Sequence, residues 1–89
     1  MDKKLENDLT ATQKHFGEER QSSKLYEELC ELLTAIDSGV KKDIISEKAD
    51  CFSLLFQEYL TNPKIRTAVN EKNERTKERI KSGYYEQIL

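Results

Sequence analysis

Three glycines and a single proline are the strong helix breakers of this chain, and they fall at Gly17, Gly39, Pro63 and Gly83. The intervals between them are long, and each carries apolar residues at the three-to-four spacing of a helix. With so few places for tight turns, the chain predicts an all-α fold. Hydrophobic and charged residues each make up 36%, which suits narrow, heavily charged helices better than a thick layered core. At 89 residues the chain reads as one domain, residues 1–89, small enough that a second subunit is expected to complete its burial.

The breakers delimit four predicted helices. The first covers about 2–15, with a thin stripe of Leu5, Leu9, Thr12 and Phe16, and ends in a turn at Gly17. The second, about 18–37, carries the clearest stripe, Leu25, Leu29, Leu32 and Ile36, and Gly39 suits a left-handed C-terminal cap. The third, about 41–60, aligns Ile44, Cys51, Leu55 and Tyr59, broadened by Ile45, Phe52 and Phe56. Asn62 followed by Pro63 is a capping and first-turn pair, so a fourth helix runs from there through Ile65, Ala68, Val69, Thr76 and Ile80 to Gly83. An apolar tail, "YYEQIL", is left to dock or fray. Short connections make successive helices antiparallel neighbours, so the second and third are expected to form a hairpin with their stripes facing each other.

That hairpin gives the acidic residues a meaning. In "KLYEELCELL" (24–33) three glutamates sit beside the leucines. At about 100° per residue, Gln21, Lys24, Glu28 and Glu31 fall within a sector of roughly 80° bordering the stripe, with Glu27 further out. The third helix repeats the arrangement with Glu47 and Asp50, three residues apart. Each helix therefore offers a carboxylate pair about 5–6 Å apart at Cβ. Two unit charges about 6 Å apart repel by roughly 3 kcal/mol at an effective dielectric of 20. Four that converge need protons or a cation, and hard oxygen ligands suit Mg²⁺, or Mn²⁺. Taken alone, the pattern fits a solvated acidic face as well as it fits a metal cradle.

"GEERQSSKLYEELCELLTAI" followed by "EKADCFSLL" resembles the MazG-like superfamily of all-α nucleotide pyrophosphohydrolases, whose hallmark is EExxE, a spacer and ExxD. Here the motifs are Glu27-Glu28-Leu29-Cys30-Glu31 and Glu47-Lys48-Ala49-Asp50, and "NEKNERTKERIKSGYY" is similar to the family's K-N-x-x-R segment. The likeness spans about residues 12–84. It implies Mg²⁺-dependent hydrolysis of a nucleoside triphosphate at the α–β linkage, giving a monophosphate and pyrophosphate. It also implies Glu28, Glu31, Glu47 and Asp50 as metal ligands, with Glu27, Glu28 and Glu31 as the catalytic carboxylates. Glu27 would then stand behind the ligands or act as base on the attacking water. Gln21, Lys24, Lys72, Asn73 and Arg75 would contact the substrate, with one or two ions neutralising the triphosphate. Phe16 and Tyr59 are candidates for recognising the base. Short length and the breadth of the apolar stripes, with Tyr26, Ile45, Phe52, Phe56 and Leu60 beyond what two thin flanking helices would cover, predict self-association as a dimer or tetramer.

Other classes fit less well. Net charge is −2, and the basic residues of 64–81 alternate with glutamates, so nucleic acid is not an expected partner. No apolar run approaches the roughly 20 residues of a membrane span, and "MDKKLENDL" is too polar for a secretory signal, so a cytoplasmic location is expected. Cys30 and Cys51 lie in apolar stretches and read as reduced thiols, and His15 is the lone histidine, which disfavours a zinc site. The alternative to an enzyme is a non-enzymatic helical interaction or regulatory protein that binds through the Leu25–Ile36 stripe.

Overall fold

The computed structural model describes residues 2–88, with the side chains of Glu18, Gln87 and Ile88 outside that description. Its elements are α1 (Lys3–Ser38), α2 (Lys41–Thr61), α3 (Pro63–Lys81) and α4 (Tyr84–Ile88), and no strand occurs among the described residues. The first two predicted helices are the two halves of α1. Asp2 caps the start, its side chain accepting from the Lys4 N–H at 2.9 Å. Between the halves the backbone breaks at Gly17, with φ 77° and ψ 166°. That region of backbone space is open essentially to glycine alone, so the residue that interrupts the pattern is the one that can.

Gly39 ends α1 in the left-handed conformation, its N–H bonded to the Ala35 and Ile36 carbonyls. Only Gly39 and Val40 separate α1 from α2, which turns the chain straight back into an antiparallel hairpin. The hairpin register is read from its contacts. Gln21 hydrogen-bonds Gln57, and the Cys51 thiol donates to the Glu28 carbonyl at 3.4 Å. At the far end of α2, Asn62 closes one helix and opens the next. Its N–H bonds the Glu58 carbonyl at 2.8 Å, and its side chain accepts from the Lys64 N–H at 3.0 Å. Arg66 holds this corner by donating to the Tyr59 and Leu60 carbonyls at 2.9 and 2.8 Å.

The expected facing of the stripes is met only in part. Leu25 and Leu32 are half-buried, but Leu29 and Ile36 of the same stripe are exposed, as is Leu55 on α2. The seam between α1 and α2 is filled instead by Gln21, Glu28, Ala35, Cys51 and Gln57, all buried. Leu9, Ala35 and Cys51 are the buried hydrophobic residues among those described. The reason is geometric. A wheel drawn on one helix admits a polar sector and an apolar one side by side, and only the pairing of two helices decides which turns inward.

No Cα of α3 comes within 8 Å of one in α1. The first turn of α3 (Lys64, Ile65) faces Gln13 and Lys14 across an open groove of about 700 Å³, and the rest of the helix projects away, with no residue buried. Its end packs on α4, where the Arg79 guanidinium lies 4.6 Å from the centre of the Tyr84 ring. Docking expected of the last side chains of the tail lies outside the described residues. No helix among the described residues is long and apolar enough to cross a membrane.

Candidate metal centre

The short hairpin places residues of α1 and α2 opposite one another according to their distance from Gly39. Gln21 meets Gln57 near the open end, Glu28 lies against Cys51 in the middle, and Glu31 and Glu47 line the same surface hollow closer to the turn. Glu28, Glu47 and Asp50 each turn one carboxylate oxygen to a common point, the three oxygens lying within 4.8 Å of one another. Glu28 is buried, Glu47 half-buried and Asp50 exposed, so the group is anchored within the seam and opens to water at one side.

Two of its oxygens have no donor. Glu28 Oε2 and Glu47 Oε2 are buried, and neither receives a hydrogen bond from any described residue. The other Glu28 oxygen is satisfied, pairing with Lys24 Nζ at 3.0 Å, and the same ammonium reaches Glu27 at 3.8 Å. The hydrogen bond to Glu28 first, and then the charges of Glu27 and Glu28, hold the Lys24 ammonium above its ordinary range. A buried carboxylate oxygen left without a partner is costly and calls for a proton or a cation.

Glu31 feels the same field from the rim. The Glu28 charge beside it raises its pKa, as do the hydrogen bond a protonated Glu31 makes to Glu28, partial burial and the charge of Glu47. Glu31 thus stands outside the tight trio yet is coupled to two of its members. The Cys51 thiol is also pushed up, first by burial and then by Glu28, Glu47 and Asp50, which keeps it a neutral donor to the Glu28 carbonyl.

The remaining predicted residues divide by helix. Gln21 and Lys24 border a groove of about 790 Å³ together with Thr12, Phe16, Glu27 and Leu54, next to the carboxylates. Lys72, Asn73 and Arg75 are exposed on the projecting part of α3, the first of them about 14 Å along the axis from Pro63. Within one chain they stand apart from α1. Tyr59 stacks on Phe56 on α2 and does not line the groove.

Sequence reasoning missed Gln57. It is as buried as Gln21, at 3% exposure, and accepts a hydrogen bond from the Gln21 amide. The signal was present, since the line carrying Glu47 and Asp50 runs on through Leu54 to Gln57 at helical spacing. Comparison with protein-family models, with curated proteins and with solved structures produced no match.

Proposed function

We propose that Glu28, Glu31, Glu47 and Asp50 hold Mg²⁺, or Mn²⁺, and that the protein is a cytoplasmic nucleoside triphosphate pyrophosphohydrolase. The observation that carries this reading is the pair of buried oxygens, Glu28 Oε2 and Glu47 Oε2, that lack any donor while converging with Asp50. The donor set is all carboxylate oxygen, which suits a hard divalent ion and not zinc. The EExxE and ExxD resemblance supplies the substrate class.

When bound, such an ion supplies charge neutralisation for the phosphates and activation of water. The chain's own groups do the rest. Lys24, fixed between Glu27 and Glu28, places a permanent positive charge at the rim of the groove. Gln21 is locked by Gln57, so its amide has one orientation toward a ligand in that groove. Phe16 and Leu54 give the groove an apolar wall against which a base can lie. Glu27 is exposed at the rim of the groove beside Lys24, in position to accept a proton from the attacking water.

The test is product analysis. Purified protein incubated with a panel of ribo- and deoxyribonucleoside triphosphates and Mg²⁺ should release pyrophosphate and a monophosphate, and none without the metal. Orthophosphate and a diphosphate as primary products would place the chain in another reaction class. The exposed apolar residues of α1 and α2 favour a second reading, a non-enzymatic helical interaction protein. A melting temperature indifferent to Mg²⁺ would favour that alternative.

A further inference from the structure

The two halves of α1 are held to the molecule very differently. The second half is fastened to α2 by side chains: Gln21 bonds Gln57, and the Cys51 thiol donates to the Glu28 carbonyl. From Lys3 to Phe16, no hydrogen bond or ion pair reaches another element among the described residues. Lys4 pairs with Asp8, the Thr10 and Thr12 hydroxyls donate to the Glu6 and Asp8 carbonyls, and His15 packs edge-on against Phe16, all within the segment. Burial adds a single anchor. Leu9 is the one buried residue of the segment, while Leu5 and Phe16, its other large apolar side chains, are 41% and 47% exposed. The joint between the halves is equally free. Gly17 interrupts the helix at φ 77° and ψ 166°, and a Cβ placed on it would meet no atom within 4 Å. Nothing packs on the joint, and glycine is the residue whose backbone turns at least steric cost.

There is room to move on both sides. Thr12 and Phe16 form one wall of the groove of about 790 Å³, and Gln21, Lys24 and Leu54 stand across from them. Gln13 and Lys14 face the second groove, of about 700 Å³, toward the start of α3. A short helix hung on one glycine, held by one side chain and open to either side, has the build of a gating element drawn from the least stable part of a fold. We propose that Lys3–Phe16 is a lid, hinged at Gly17 and latched by Leu9, that opens and closes the groove beside Glu28, Glu47 and Asp50. Swung out, it admits a ligand to Gln21 and Lys24. Swung back, it lays Thr12 and Phe16 over that ligand and excludes water from the groove. Glu28 sits on the half of α1 that stays fastened to α2, so the motion leaves the carboxylates in place. That the ligand is a nucleotide rests on the function proposed above; the hinge does not.

The test reads distances in the full-length chain and needs neither metal nor nucleotide. Spin labels on Asp8→Cys and Lys42→Cys, both exposed positions, measure the lid against α2, with the exposed Cys30 changed to Ser and the labelled chain diluted into unlabelled chain. Labels on Ser22→Cys and Lys42→Cys measure the hairpin alone. Leu9→Ala cuts the latch. It should raise the ratio of swung-out to closed lid by ~10-fold or more, as for other buried leucines truncated to alanine, and so spread the Asp8–Lys42 distances. The Ser22–Lys42 distances and the helicity by circular dichroism should match the parent. An Asp8–Lys42 distribution that Leu9→Ala leaves unchanged overturns the proposal, because something other than Leu9 then holds the segment. Spreading accompanied by lost helicity overturns it too, since the segment then unfolds instead of swinging. Mg²⁺ with the α,β-methylene analogues of the four common ribonucleoside triphosphates should narrow the spread distribution again. Spreading in Leu9→Ala that no nucleotide narrows upholds the lid and counts against the nucleotide, which separates failure here from failure of the proposed function.

Discussion

Replacing Glu28 with glutamine keeps the shape of the side chain and removes one negative charge from the middle of the carboxylate group. In the metal-free protein that charge lies within 4.8 Å of an oxygen of Glu47 and another of Asp50. At an effective dielectric of 20, one such repulsion amounts to about 3 kcal/mol, and the exposure of Asp50 screens the second to a smaller value. Against this stands the lost pair with Lys24, whose side chain is 54% exposed, so its contribution is at most about 1 kcal/mol. The new amide can also donate to the orphaned Glu47 oxygen. The metal-free variant should therefore be more stable than the parent by about 2 kcal/mol. For a domain of this size that corresponds to a rise in melting temperature of roughly 10 °C. Added Mg²⁺ reverses the order. At a hundred times its dissociation constant it should stabilise the parent by about 2.7 kcal/mol, while the variant barely responds. Thermal melts of both proteins across a Mg²⁺ titration decide the matter. A variant that melts below the parent without metal, with both responding equally to Mg²⁺, would show that Glu28 is a structural ion-pair partner and refute the reasoning.

Glu31 should make metal-free stability depend on pH. Its folded pKa is raised, so its contribution is fully present below the ordinary value of 4.5 and is lost as the pH rises through the raised one. Metal-free melts should fall across that window, and Glu31→Gln should flatten the curve; an unchanged slope would contradict the coupling to Glu28. Gly17→Ala should cost about 1–3 kcal/mol in a denaturant titration, from backbone strain alone, because a Cβ there meets no atom within 4 Å. A gain in stability, as expected for the same change in an unbroken helix, would mean that α1 runs straight. Gln57→Leu should destabilise by about 1–3 kcal/mol by orphaning the Gln21 amide, and adding Gln21→Leu should recover most of the loss. If the double change is as damaging as the single one, the two amides are not a unit.

The parts of this fold that a reader of the sequence can find are those decided locally. Gly17, Gly39 and the Asn62–Pro63 pair each act through their own backbone, and each interrupts or ends a helix where the pattern predicts. The convergence expected of four carboxylates was legible for three of them, Glu28, Glu47 and Asp50, because two i, i+3 pairs joined by a short turn have little freedom to miss each other; Glu31 stands at the rim instead. The inward turn of Gln21, Glu28 and Gln57 was not. Leu29 and Glu28 are adjacent in sequence, and ordinary hydrophobic reasoning buries the leucine. The preference inverts here because the pairing of α1 with α2 turns the polar sector of each helix into the seam and leaves apolar side chains outside it. The course of α3 was hidden for a related reason, since a mostly polar helix carries too thin a stripe to say which neighbour it needs.

The two-residue link at Gly39 and Val40 makes the hairpin a folded ruler. Positions on its two arms are matched by how far each lies from the fold, so length itself becomes part of the chemistry between Gln21 and Gln57. Deleting one helical residue between Glu31 and Ser38, or between Lys41 and Glu47, would rotate one arm by about 100° against the other and scatter the carboxylates. A similar deletion between Asn70 and Ser82 would leave their meeting point untouched. Variation in this protein is thus constrained by two different rules, counting on one side of Asn62 and composition on the other.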